Sequence, residues 1–551
     1  MFIFGKSFFV TVVKGDFYRE KAIDQWTRDL PVKALRGEIT DKNGVLLAGN
    51  GGTFSVFVRT RCVTEPEKVC KILSDILKID YEALYIKITN KNISEITVAK
   101  NISAEQKKEL EKTSLNGVYF SPDNTRVYPF NDMLCQTLGY VSSDGSGQSG
   151  LEKYYDRYLR GTDGEILYES DLIGLDVKNK APSYTAAQNG LSVRLTIDSE
   201  IQLICEAEMQ KAVATYSPKS AKVIIMQPKT GKILAISQKP SFDLNDVPRN
   251  DIEYLMKVGR NEIVADSYEP GSTFKVITSA ANLEEYFQGN VSAFSPEHIF
   301  SSGRYRMIGG RKIKCWSTHA NGKHSSQNLA LALNNSCNPI FVDIALALGK
   351  KKMYEYINKF NFGKVTGVDF QGEALGMVIP ESAVTDGDLA RIGFGQTIAV
   401  TGIQLASAIS AAVSGGVYHK PYLVEEIYSE NATVFKNYPV ETRQAISEKA
   451  SALLASYLEG VVSSGSGKQA YIEGYRVGGK TGTAQKYENG VISSGKYVMS
   501  FTGFFPANNP EYLALVIIDE PVGGLYGSTV AAPICKNIFE KIIQAKNIEK
   551  P

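Results

Sequence analysis

The stretch Tyr268-Glu269-Pro270-Gly271-Ser272-Thr273-Phe274-Lys275 decides how the chain is read. Pro270-Gly271 is a turn signal, and the apolar residues Phe274, Val276 and Ile277 suit a helix after it. With Ser272 in the first turn, Lys275 shares its face three residues on. That spacing brings an amine within reach of a hydroxyl. A serine hydroxyl is a weak nucleophile at neutral pH and needs a neighbouring base. A lysine serves if burial and nearby positive charge lower its pKa. Alone, Ser-x-x-Lys arises by chance about once per few hundred residues of ordinary composition. The rest of the chain must supply the partners.

At 551 residues the chain predicts two or more domains. A hydrophobic content of 43% and a charged content of 22% suit a globular protein, and a net charge of +2 gives no case for nucleic acid. Seven scattered cysteines form no disulfide framework. The apolar segment 1–13, interrupted by Lys6, is shorter than a spanning helix of about 20 residues. It predicts the remnant of an N-terminal membrane anchor.

Residues 14–195 predict an elongated α+β domain of pairing or pedestal type. Residues 14–34 look helical, and Ile39 to Ala48 predict a hairpin around Asn43-Gly44. Val118-Tyr119-Phe120 and Arg126-Val127-Tyr128-Pro129 predict two short strands. The texture changes in residues 196–551. Asp198 or Ser199 caps a helix with apolar face Ile201, Ile204, Cys205, Met209, Ala212 and Val213. Strands follow at 221–226 and 232–237, and again at 498–505 and 512–518, before a last helix bearing Ile534, Ile538, Phe539, Ile542 and Ile543. This predicts an antiparallel sheet built from both ends of the region, with the terminal helices on one face. Residues 265–465, mostly helical, form an inserted subdomain, and the cleft lies where the two meet.

Two further motifs follow Ser272 in order. Ser336-Cys337-Asn338 is Ser-x-Asn in the helical insert, and Lys480-Thr481-Gly482 is Lys-Thr-Gly in a strand-like segment. Each is common alone, but the ordered set in those contexts is specific for acyl-transfer chemistry on serine.

With these motifs the chain resembles the class B, monofunctional penicillin-binding proteins, peptidoglycan D,D-transpeptidases of the division and sporulation type. Arg36-Gly37-x-Ile39-x-Asp41-x-Asn43-Gly44, Arg126-x-Tyr128-Pro129 and Gly150-Leu151-Glu152 resemble that family's N-terminal blocks. Thr230-Gly231-x-Ile233-Leu234-Ala235, Gly393-Phe394-Gly395-Gln396 and Thr401-x-x-Gln404 resemble its later ones. The resemblance implies an α+β transpeptidase domain at 196–551, a five-stranded antiparallel sheet with flanking helices and a helical subdomain, behind a dimerisation or pedestal domain at 14–195. It implies Ser272 as nucleophile and Lys275 as base, Ser336 as proton relay and Asn338 as a holder of the substrate amide and Lys275. Lys480 would lower the pKa of Lys275 and, with Thr481 and Thr483, bind the substrate carboxylate. Gly482 would clear space for substrate on the strand, and the amides of Ser272 and Thr483 would form the oxyanion hole. The implied partners are peptidoglycan stem peptides, β-lactams, a glycosyltransferase and other wall-assembly proteins, and the membrane through a single-pass anchor, with the bulk of the chain extracytoplasmic. The chemistry needs no cofactor.

Cys337 is the middle residue of Ser-x-Asn, and Cys315, His319 and His324 lie upstream. Cys-x3-His-x4-His followed by a second Cys offers four ligands suited to a structural tetrahedral Zn²⁺. A Cys315–Cys337 disulfide or two buried thiols are the alternatives. Competing functions are a serine β-lactamase, a penicillin sensor and a catalytically silent wall-assembly scaffold. The residues preceding the catalytic region argue against the first, given ordinary domain sizes, and the intact motifs against the last.

Overall fold

The computed structural model describes residues 14, 27–90, 92–93, 95–169, 183–301, 303–316, 326–429, 432–436, 441–488, 491–523 and 526–550. In the N-terminal region β1 (Ile39–Thr40) and β2 (Leu46–Val58) flank the expected turn. Asp41 Oδ1 shapes it by accepting the amides of Asn43 at 2.7 Å and Val45 at 2.9 Å, and Gly44 takes a φ of 87° there. β3 (Ile96–Ile102) and β4 (Val118–Val127) both pair with β2. β4 is one strand where the sequence predicted two. Its ladder to β2 runs from Val118 opposite Val58 to Val127 opposite Gly49, and that pairing carries the chain through Ser121-Pro122. Thr27–Val32, expected to be helical, is a strand paired with Gly164–Glu169, which suits its Pro31. The rest of that expected helix, residues 15–26, and the expected anchor at 1–13 lie outside the described residues. No helix among the described residues is long and apolar enough to cross a membrane.

Three of the N-terminal blocks meet at one carboxylate. Glu152, fully buried, accepts Arg36 Nε and Arg126 Nε, each at 2.7 Å, on its two oxygens. Arg36 also reaches Asp156 at 2.7 Å. A buried carboxylate between two guanidiniums fixes segments distant in sequence against each other.

β5 (Ser192–Leu195) closes the region, yet it pairs in parallel with β1 and antiparallel with Val424–Tyr428. The N-terminal sheet therefore continues across the boundary drawn at 195 and 196. The chain then forms α1 (Ser199–Tyr216), β6 (Ser220–Met226) and β7 (Ile233–Lys239). The insert supplies α2 (Lys275–Phe287), α3 (Asn338–Lys359), α4 (Gly402–Val413) and α5 (Glu448–Ser463). The chain returns as β8 (Gly478–Glu488), β9 (Val491–Phe505) and β10 (Tyr512–Asp519) and ends in α6 (Gly527–Ala545).

These strands make a five-stranded antiparallel sheet in the order β7-β6-β10-β9-β8. Both faces are covered, so β6 is buried at every position rather than alternating. Val223 and Ile225 face one core with Cys205 and Met209 of α1 and Ile538 and Phe539 of α6. Ile224 and Met226 face the other, with Leu405 and Ile409 of α4. Asp198 caps α1 by accepting the amides of Glu200 and Ile201. β8, which carries Lys480-Thr481-Gly482, is an edge strand beside the insert.

Candidate active site

Ser272 lies in a 3₁₀ turn, Gly271–Phe274, that runs directly into α2 at Lys275. The turn is held from two sides. Gly271 takes a φ of 54° and donates its amide to the Gly395 carbonyl at 2.9 Å. A Cβ on Gly395 would stand 2.0 Å from the Gly271 oxygen, so backbone packs directly on backbone there. On the other side a Cβ at Gly271 would lie 3.1 Å from the Thr483 oxygen, so the turn abuts β8. Ser272 is half-buried at this junction.

Lys275 is fully buried, and its Nζ donates to the Ser336 carbonyl at 2.8 Å, Ser336 Oγ at 3.1 Å and Asn338 Oδ1 at 2.7 Å. The Phe341 ring lies 5.1 Å from the same amine. Lys480, also fully buried, donates from the opposite side to Ser336 Oγ at 2.9 Å. Ser336 thus stands between two amines. Its φ of 52° places it in the left-handed region, a costly conformation for serine that the surrounding contacts hold in place. Asn338 opens α3 next to Pro339 and donates Nδ2 to the Lys314 carbonyl at 3.2 Å.

Burial lowers the Lys275 pKa to about 8, and the neighbouring Cys315 and Cys337 oppose that shift. Lys480 is pushed well below its ordinary value by burial and by the charge of Lys275. The repulsion between the two buried amines is mutual, so each disfavours protonation of the other. Two buried amines on one hydroxyl titrate as a pair, and the second proton is the costly one.

Thr481, Gly482 and Thr483 follow along β8, opposite Phe501, Ser500 and Met499 of β9. Thr483 Oγ1 accepts the amide of Gly527, at the start of α6, at 3.0 Å. The reason for glycine at 482 differs from the expected one. A Cβ there would meet Ser500 Oγ at 2.3 Å, Thr273 Cγ2 at 3.0 Å and the Pro270 oxygen at 3.1 Å. Gly482 lets the strand approach the nucleophile turn. The open edge of β8 leaves backbone donors and acceptors for an extended peptide beside it.

Of the four expected metal ligands, Cys315 and Cys337 lie together, with sulfurs 4.0 Å apart and no disulfide between them. His319 and His324 lie outside the described residues. Among the described residues no group of three or more His, Cys, Asp or Glu is placed to hold a metal. The zinc reading gains no support and is not carried further. Gly395, which supports the nucleophile turn, and Gly527, which packs on β8 and β9, were not assigned roles from the sequence. The only signal was glycine inside the Gly-Phe-Gly-Gln block and after Tyr526.

Residues 221–540 match the penicillin binding protein transpeptidase domain, and residues 31–195 match the penicillin-binding protein dimerisation domain. Stage V sporulation protein D of Bacillus subtilis is 40% identical over 96% of this chain and 81% of that protein. Peptidoglycan D,D-transpeptidase FtsI of Escherichia coli is 26% identical over 100% of this chain and 90% of that protein. Among solved structures, penicillin binding protein 2X of Streptococcus thermophilus superposes with a TM-score of 0.79 at 24% identity, over 94% of this chain and 80% of that one, and is evidence for the fold alone. The chain belongs to the penicillin-binding proteins, with a transpeptidase domain behind a dimerisation domain.

Proposed function

We propose that the chain cross-links peptidoglycan as a serine D,D-transpeptidase, with Ser272 as nucleophile and Lys275 as its base. The observation that carries this reading is the convergence of Lys275, Ser336 and Lys480 beside the Ser272 turn. A lysine with its pKa brought near 8 holds a useful neutral fraction at working pH. It takes the Ser272 proton as Oγ bonds to the carbonyl carbon between two D-alanines. The developing oxyanion is received by the amides of Ser272 and Thr483. The C–N bond then breaks, and the leaving amine takes its proton through Ser336 Oγ from the paired amines. The terminal D-alanine departs, leaving an ester on Ser272. The amine of a neighbouring stem peptide attacks that ester, loses a proton to Lys275 and restores Ser272.

The substrate's terminal carboxylate binds by Lys480, Thr481 and Thr483. A negative charge there draws the shared proton to Lys480 and leaves Lys275 neutral, so substrate binding prepares the base. β-Lactams enter by the same route, acylate Ser272 and inhibit. The relatives named above favour this reading over the β-lactamase, sensor and scaffold alternatives. The similarity to a sporulation protein supports a wall built during sporulation. The substrate places the folded part outside the cytoplasmic membrane, on the anchor expected at 1–13, beside a glycosyltransferase that supplies uncross-linked strands.

The test is turnover of a stem pentapeptide polymer. Release of D-alanine together with peptide dimers supports the reading, whereas release of D-alanine without dimers in the presence of acceptor overturns it.

A further inference from the structure

The hairpin formed by Tyr305–Ile308 and Arg311–Lys314 is unused by the chemistry above. From Gly303 to Trp316 the chain carries Arg304, Arg306, Arg311, Lys312 and Lys314, and no acid. The register separates two faces. Arg306, Ile308 and Ile313 turn toward α3, where Ile313 is buried and Arg306 pairs with Asp343 at 2.6 Å. Tyr305, Met307, Lys312 and Lys314 occupy the other face and are exposed. Tyr305 is 44% and Met307 52% accessible, and Lys312 Nζ sits 4.9 Å from the Tyr305 ring centre. Among the described residues no carboxylate lies within ion-pair distance of Arg304, Arg311, Lys312 or Lys314; Asp388 feels Arg311 only at longer range.

The root of the hairpin is tied to the catalytic loop. Asn338 Nδ2 donates to the Lys314 carbonyl at 3.2 Å, and Trp316 Nε1 donates to the Asn335 carbonyl at 3.0 Å. The Cys315 amide donates to the Arg304 carbonyl at 2.9 Å, which closes the base of the arm. Whatever the exposed face holds is therefore held beside Ser336 and Asn338.

We propose that this face binds the carboxylates of stem peptides along an uncross-linked glycan strand, outside the reacting D-alanyl pair, and so retains polymeric substrate at the cleft. The inference rests on the transpeptidase reading. Stem peptides repeat along the polymer and carry free carboxylates, so a cationic arm meets many ligands on one strand and gains from multivalency. Tyr305 and Met307 give sugar and peptide an apolar surface between the charges. A membrane is the poorer fit, because the apolar residues are few and interleaved with lysines rather than forming one stripe.

The experiment uses the full chain and the double variant Lys312→Gln/Lys314→Gln, which alters the two side-chain charges of the exposed face and leaves the Lys314 carbonyl in place. Three measurements are made: the acylation rate with a labelled penicillin, cross-linking of uncross-linked peptidoglycan polymer against NaCl concentration, and co-sedimentation with phosphatidylglycerol vesicles. Acylation and vesicle binding stay unchanged, while polymer cross-linking falls about tenfold at low salt, as loss of steering charges predicts. The wild type approaches the variant as salt rises. The charge-keeping variant Lys312→Arg/Lys314→Arg keeps the wild-type rate. Unchanged polymer cross-linking overturns the proposal. So does a parallel fall in penicillin acylation, which marks a structural effect on the catalytic loop, or loss of vesicle binding alone, which marks a membrane surface. Failure of the wild type to acylate strikes the transpeptidase reading itself, and this proposal with it.

Discussion

Lys480 Nζ lies 2.9 Å from Ser336 Oγ, across 144 residues of sequence. That contact joins the edge strand of the sheet to the helical insert at the floor of the cleft. With Lys275 on the other side of the same hydroxyl, it makes Ser336 the link through which the two amines share a proton. Ser336→Ala removes the link and leaves both amines buried without it. Acylation by penicillin should slow about 10²-fold or more, the range for losing a positioned proton-transfer group. Stopped-flow acylation, with the melting temperature measured alongside, checks this.

The depressed Lys275 pKa sets a pH dependence. The base is the neutral amine, so its fraction rises with pH up to about 8 and then levels. Acylation of the free enzyme should therefore climb about tenfold per pH unit well below that point and flatten above it. Stability changes with the same sign, in a higher pH window. A lysine whose folded pKa lies below its unfolded value costs stability as pH falls from the unfolded pKa to the folded one, and the cost is constant below. Acylation rates and denaturation midpoints measured between pH 6 and pH 10 test both limbs.

Gly482→Ala places a methyl against Ser500 Oγ, Thr273 and the Pro270 carbonyl. Overpacking of this kind costs about 1–3 kcal/mol. The strain falls on the nucleophile turn, so acylation should drop along with the melting temperature. A variant that keeps full stability but loses only carboxylate binding would instead restore the expected role of Gly482 in clearing room for substrate.

Glu152→Gln leaves Arg36 and Arg126 buried around a neutral partner. Breaking a buried pair by removing one charge costs about 3–5 kcal/mol. Arg36 keeps Asp156, so the loss should sit at the low end. Denaturant unfolding of the full chain measures it, and penicillin acylation at a temperature where the variant is folded should stay near wild type.

Much of the site was legible because its signals are local. Ser272 and Lys275 share one turn, and each remaining motif occupies a few consecutive residues. The sheet was legible from apolar strands at both ends of the region and a helix at each end. What escaped depends on contacts between segments distant in sequence. The burial of Lys275 and Lys480 against one hydroxyl follows from the packing of the insert on β8, which no spacing displays. The role of Gly482 depends on how closely β8 approaches Pro270 and Thr273. The single strand β4 depends on its partner β2, and the pairing of β5 with Val424–Tyr428 crosses a boundary that composition alone had drawn.

The central claim is that Ser272 forms a stable acyl-enzyme. Intact-mass measurement after incubation with a penicillin tests it most directly. The account predicts a persistent adduct of one β-lactam per chain, mapped to the Ser272 peptide and absent in Ser272→Ala. An adduct that survives in Ser272→Ala, an enzyme that turns the penicillin over rapidly, or no adduct at all would contradict it.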